Sequence, residues 1–240
     1  MHISAMFRDE MLASRDFEAV LEREFKIVST LATQSPSMAA TNWLLKGDSV
    51  EEANLYKVFD IAGKATPAAL AVLNEEFRGD KGMFSFVAIW NGQEAGGERA
   101  SMVCHVGPKV LPDRISLRIA DPACYSRPKD LVDTIRVVIE EFRPLFIEVF
   151  PEGYFPLRVF TDKPGVGWML YLPQVITANQ VPEAQALIPV PAPGKKQTGT
   201  IIVSVADEVF SLDNPSHVDL ANRIEMRLVD QDLLPRYADL

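Results

Sequence analysis

The chain has 240 residues, of which 48% are hydrophobic, enough for one sizeable core. Its 33 acidic and 24 basic side chains leave a net charge of -9, which excludes a whole-protein basic footprint for nucleic acid. Two cysteines, Cys104 and Cys124, exclude a disulfide framework and point to a reducing, cytoplasmic setting, and no apolar run is long enough to span a membrane.

The start, MHISAMFRDEMLASRDFE, lacks the apolar stretch of a secretory signal. The spacing of Phe17, Val20, Leu21, Phe25, Val28 and Leu31 predicts a helix over 15–33, with Ser14 as its cap and Glu18 and Glu22 on the solvent side. Thr66 and Pro67 open a second helix over 67–78, which Gly79-Asp80-Lys81-Gly82 ends. Residues 83–90, MFSFVAIW, read as a strand. Phe84, Phe86, Ala88 and Trp90 point one way and Val87 and Ile89 the other, so apolar groups on both faces predict a central strand. Asn91-Gly92 turns the chain into a return strand over 100–106, and RISLRI at 114–119 alternates cleanly. Leu131, Val132, Ile135, Val138, Ile139 and Phe142 form one stripe of a helix over 129–142.

Strands are expected at 145–150, 168–172 and 200–205. Between the last two, residues 177–198 contain Pro182, Pro189, Pro191 and Pro193 and read as a surface crossing in partly polyproline form, or as a boundary between two lobes. Asn214-Pro215 opens a terminal helix that buries Val218, Ala221, Ile224 and Leu228. The mixed order predicts an α+β fold: a largely antiparallel mixed sheet with helices packed on it, in a single domain over 1–240 unless 177–198 divides it.

No catalytic constellation emerges. GVGW at 165–168 lacks a third glycine and feeds a strand, so it is no dinucleotide loop; GKKQTGT at 194–200 lacks the lysine of a phosphate loop. Gly167 instead lets the backbone approach a neighbouring strand before Trp168 enters the sheet. Cys104 and His105 are adjacent on a strand and point to opposite faces. His2, His105 and His217, with two cysteines, show no metal-ligand spacing. Glu51-Glu52, Glu75-Glu76 and Glu140-Glu141 are adjacent pairs that diverge on a helix. No cofactor, metal or catalytic residue is expected. The charge is uneven: residues 1–80 carry 13 acidic and 8 basic groups, 81–202 carry 12 and 13, and 203–240 carry 8 and 3. An acidic surface steers a basic partner, and the exposed carboxylates Glu18, Glu22, Glu75, Glu76 and Asp80 are the candidate partner-binding residues.

The run GVGWMLYL, then GTIIVSVADEVFSLDNPSHVDLANRIEMRL and DLLP, resembles the immunity protein 52 family of bacterial polymorphic toxin systems. DRISLRIADP at 113–122 and FSFVAIWNG at 84–92 are similar to that family's earlier strands. The resemblance extends to the immunity protein of a type VI secreted nuclease with a restriction-endonuclease-like toxin domain. It implies an α+β toxin antagonist, acting in the cytoplasm by protein–protein contact with a nuclease that holds DNA in a basic cleft, and without direct nucleic-acid or membrane binding. It assigns no functional residue by position, nor does it fix the oligomeric state. Two other readings remain open: a hydrolase built around His105 and a carboxylate, and an adaptor of a secretion apparatus.

Overall fold

The computed structural model describes residues 1–47, 49–79, 83–94, 96–191 and 194–240. Nine strands form one sheet: β1 His2–Phe7, β2 Leu44–Leu45, β3 Ser85–Trp90, β4 Ala100–Val106, β5 Asp113–Ile119, β6 Phe146–Phe150, β7 Met169–Leu172, β8 Ala186–Val190 and β9 Gly199–Val203. Their order is β2-β3-β4-β5-β1-β6-β7-β9-β8, and every strand pair is antiparallel. The helices are α1 Phe17–Ala32, α2 Val50–Ala53, α3 Pro67–Glu76, α4 Pro128–Phe142 and α5 Pro215–Asp230. The fold is α+β, as the element order predicts.

Helices α1 and α4 pack on one face of the sheet, here the inner face. It is built by Ile3, Ala5 and Phe7 of β1, Val87 and Ile89 of β3, Met102 and Cys104 of β4, and Ile115 and Leu117 of β5, all buried. Phe142 meets Phe7 edge-on at 5.0 Å between ring centroids. Asp16, not Ser14, caps α1, its carboxylate accepting the Ala19 N–H at 3.1 Å. The buried stripe of α1 takes in Glu24 and Ile27, while Phe25 lies half-buried against Phe59. Thr66 and Pro67 open α3 as expected, the hydroxyl accepting from Ala69 N–H at 3.1 Å. Asp80, Lys81 and Gly82, read as the end of this helix, lie outside the described residues.

Past β1 both faces are covered, with Ile147 and Val149 still buried on the inner one. The segment 151–168, α5 and the C-terminal tail close over the outer face at β6, so Phe146 and Glu148 are buried there, and β7 and β9 are buried along their whole length. Their cross-strand neighbours on β1, Met6 and Ser4, remain half-buried.

Three strands depart from the sequence expectation, which places none at β1, at the two-residue β2 or at β8. The opening residues form β1, near the middle of the sheet between β5 and β6. The proline-rich crossing contains β8, whose Pro189 is tolerated because β8 is an edge strand with one side unpaired; Pro193 lies outside the described residues. Strand β3 stands second from the opposite edge, and only its Val87/Ile89 face is fully buried.

Candidate partner-binding surfaces

The GVGW motif sits at the centre of a closed polar network. Gly167 adopts φ +52, and a Cβ there would stand 2.6 Å from the Val149 carbonyl oxygen. Trp168 is fully buried, its N–H donating to Val205 O at 2.7 Å. The loop's N–H groups have few ladder partners, and two buried carboxylates take them instead. Glu148 accepts from Gly165 N–H at 2.7 Å. Glu225 accepts from Val166 N–H at 3.0 Å, Val159 N–H at 3.0 Å and the Tyr154 hydroxyl at 2.8 Å. Arg158 lies 3.3 Å from Glu148, donates to Lys163 O and to the Tyr237 hydroxyl, and stacks on Phe155. Lys163 donates to Leu234 O at 2.9 Å.

Burial pushes both carboxyls above their ordinary range, while the donated hydrogen bonds pull the other way. Burial also pushes the Tyr237 phenol up to about 12. The network ties β6, the loop, α5 and the tail together, and its role is structural. A lone glutamate in LFIEVF, and another inside the apolar stripe of α5, were the sequence signals for it.

The candidate carboxylates stand in solvent on two helices. Glu18 and Glu22 border a recess of about 120 Å³ with Phe25, Lys26 and Lys64. Glu75 and Glu76 border a separate recess of about 410 Å³ with Lys46, Glu52 and Tyr56. Glu75 pairs with Arg78 at 2.7 Å. Asp80 lies outside the described residues. Each recess thus mixes both signs of charge, and the four described carboxylates do not converge on one point.

Cys104 and Cys124 are buried, and burial raises both thiols, Cys124 to about 12, so neither is a poised nucleophile. His105 points to the opposite face from Cys104 and lies across the strands from Phe86 and Arg114. His217 Nδ1 accepts from Ser211 N–H at 3.0 Å, with Glu208 3.0 Å from Nε2. Among the described residues no group of three or more His, Cys, Asp or Glu could hold a metal ion, and no helix is long and apolar enough to cross a membrane.

Among the described residues α1 and α4 leave the outer face of β3-β4-β5-β1 open, and the ring of Phe77 at the end of α3 meets Phe86 edge-on at 5.4 Å. Register sets its side chains in cross-strand rows: Trp90, Ser101, Arg118 and His2; then Ala88, Val103, Ser116 and Ser4; then Phe86, His105, Arg114 and Met6. Every one of these residues is half-buried or exposed. At one end a recess of about 340 Å³ is lined by Trp90, Gln93, Arg99, Ser101, Arg118 and Glu152. At the other, Met83, Phe84, Val110 and Leu111 are 50–79% exposed.

A fold match supports the same architecture. The Pseudomonas aeruginosa T6SS protein PA0821 superposes with a TM-score of 0.54 at 11% identity, over 94% of this chain and 75% of that one. No curated protein matches the sequence. The family model for immunity protein 52 matches residues 12–236, nearly the whole chain including the outer-face strands β3 to β5 and the GVGW network. The chain belongs to the immunity protein 52 family.

Proposed function

We propose that this protein neutralises a cognate toxin of a type VI secretion system by binding it in the cytoplasm of the producing cell, and that the toxin is a nuclease with a basic DNA-binding cleft. Family membership across residues 12–236 carries the reading. The likeness in fold to a T6SS protein is consistent with the secretion context. The net charge of -9 suits a basic partner, because opposite net charges raise encounter rates whichever faces finally meet. The exposed carboxylates Glu18, Glu22, Glu75, Glu76 and Asp80 contribute to that field. The antagonist acts by occupying the toxin rather than by turnover, and needs no cofactor. One sheet running from β2 to β8 favours a single domain, with 177–198 inside it.

The test is co-expression with the product of the adjoining gene, tested as the toxin. The two chains are expected to co-elute, and the purified protein to abolish DNA cleavage by the toxin. Undiminished cleavage at excess antagonist, or co-elution with a sheath or tube component alone, overturns the reading.

A further inference from the structure

We propose that the outer face of β3-β4-β5-β1 is the surface that holds the toxin, and that it fits an apolar projection flanked by carboxylates. The proposal rests on the toxin-antagonist reading. An antiparallel sheet face left to water is ordinarily polar, giving a clean alternation along each strand. β5 obeys this on its outer side with Arg114, Ser116 and Arg118, but β3 does not. Phe86 is 40% exposed, Ala88 and Trp90 are half-buried beside it, and Val103 on β4 continues this apolar side, with Met6 apart on β1. The segment 151–168 and the tail cover the same face only at β6, where Phe146 and Glu148 are buried, and stop short of β1.

The occupant follows from charge. Arg114 and Arg118 on β5, with Arg99 at the end of the face, are exposed beside the apolar β3 side, and Glu152 already pairs with Arg118 at 2.5 Å. Glu148, on the same side at β6, is buried on Arg158, while Glu94 stands in solvent beside Trp90. Burial and neighbouring positive charge both lower the affinity of His2 and His105 for protons, which fits a locally basic face. Two copies of such a face would set arginine against arginine, so a second copy of this chain is a poor occupant. Nucleic acid is opposed by the charge of the molecule as a whole. Aromatic side chains with arginines beside them are the composition of binding hot spots.

Size is consistent as well. Four strands about 4.8 Å apart and about 20 Å long present roughly 400 Å², near half of one partner's share of a standard interface. The exposed Phe84, Val110 and Leu111 at one end and Gln93 at the other extend it. Helix α1 covers the inner face, so Glu18 and Glu22 lie on the far side of the molecule from this contact. The two surfaces are therefore separable: the far-side carboxylates act on the rate of encounter, and the outer face on the lifetime of the complex.

The experiment is binding kinetics with the product of the adjoining gene, tested as the toxin, using the full chain, R114E/R118E, and E18K/E22K. The outer-face variant is expected to dissociate about 100-fold faster, the scale of losing central interface anchors, with an unchanged melting temperature. E18K/E22K should alter association alone. A second measurement keeps the wild-type face intact. Ser116→Cys places a thiol in the middle row while both native cysteines are buried. Toxin should slow alkylation of that thiol at least tenfold. If the wild-type protein does not bind toxin at all, the functional reading itself fails. If it binds, while R114E/R118E dissociates like wild type and the Ser116→Cys thiol stays reactive, this inference alone is overturned. A wild-type dimer that R114E/R118E dissolves overturns it too, by assigning the face to a second copy.

Discussion

Glu24 sits on the buried stripe of α1, fully enclosed, with neither carboxylate oxygen engaged in a hydrogen bond. Burial raises its pKa well above the ordinary glutamate value, and the same carboxyl helps to raise that of Cys104. The folded state therefore keeps a proton that the unfolded state releases above about pH 4.3. Stability falls as pH rises from there toward the folded pKa, by about 1.4 kcal/mol per pH unit. Glu24→Gln removes this dependence. It is expected to raise the melting temperature at pH 8 and to have much less effect at pH 4.5; thermal melts of both proteins across that range check it. Equal shifts at both pH values would mean that Glu24 is ionised in the fold. Sequence periodicity put Phe25 on the stripe and passed over Glu24, since a charged residue is assumed to face water until its neighbours in space are known.

At the level of elements, Glu225 of α5 fastens the helix to the GVGW loop by accepting from Tyr154, Val159 and Val166. Glu225→Leu is close in volume but strands those three donors in the interior. Each buried donor left unpaired costs about 1–3 kcal/mol, so a loss of at least about 3 kcal/mol is expected by denaturant titration. Glu225→Gln keeps an acceptor and should lose less; equal losses would show that packing, not acceptance, is what Glu225 supplies. Most elements were legible because their periodicity is local: α4 and β4 fall within a residue of expectation. β1 was missed because small and polar residues, Ala5 and Ser4, blur its alternation. β8 was missed because Pro189 reads as a breaker, and only the sheet order shows that the strand stands at an edge.

Over the whole molecule the charge separates by face. Acidic α1 lies on the helical side, while β5 brings Arg114 and Arg118 to the open side. The carboxylates and their exposure could be read from the sequence. The open face could not: apolar groups on both sides of 83–90 look like a central strand, and which side stays bare depends on where distant helices pack. Reversing Glu75, Glu76 and Asp80 together lowers the net negative charge. It should slow association with the toxin at low ionic strength, with a smaller effect at physiological salt, where the Debye length is about 8 Å. The melting temperature should hardly move, since exposed charges contribute little to folding. Stopped-flow association at the two salt concentrations checks this; a salt-independent rate would leave the acidic surface to solubility alone.

The position of β1 carries a consequence for the timing of protection. His2 pairs with Arg118 on one side and Phe150 on the other. β1 thus waits for the middle of the chain before either neighbour exists. Until then the apolar edges of β1 and β5 stand unsatisfied, and a sheet of such high contact order closes slowly. A copy made only as far as β4 lacks β5 and cannot present the four-stranded open face. An antagonist built this way offers no docking face until half of it is made and folded, so a cell facing incoming toxin depends on the folded stock it already holds.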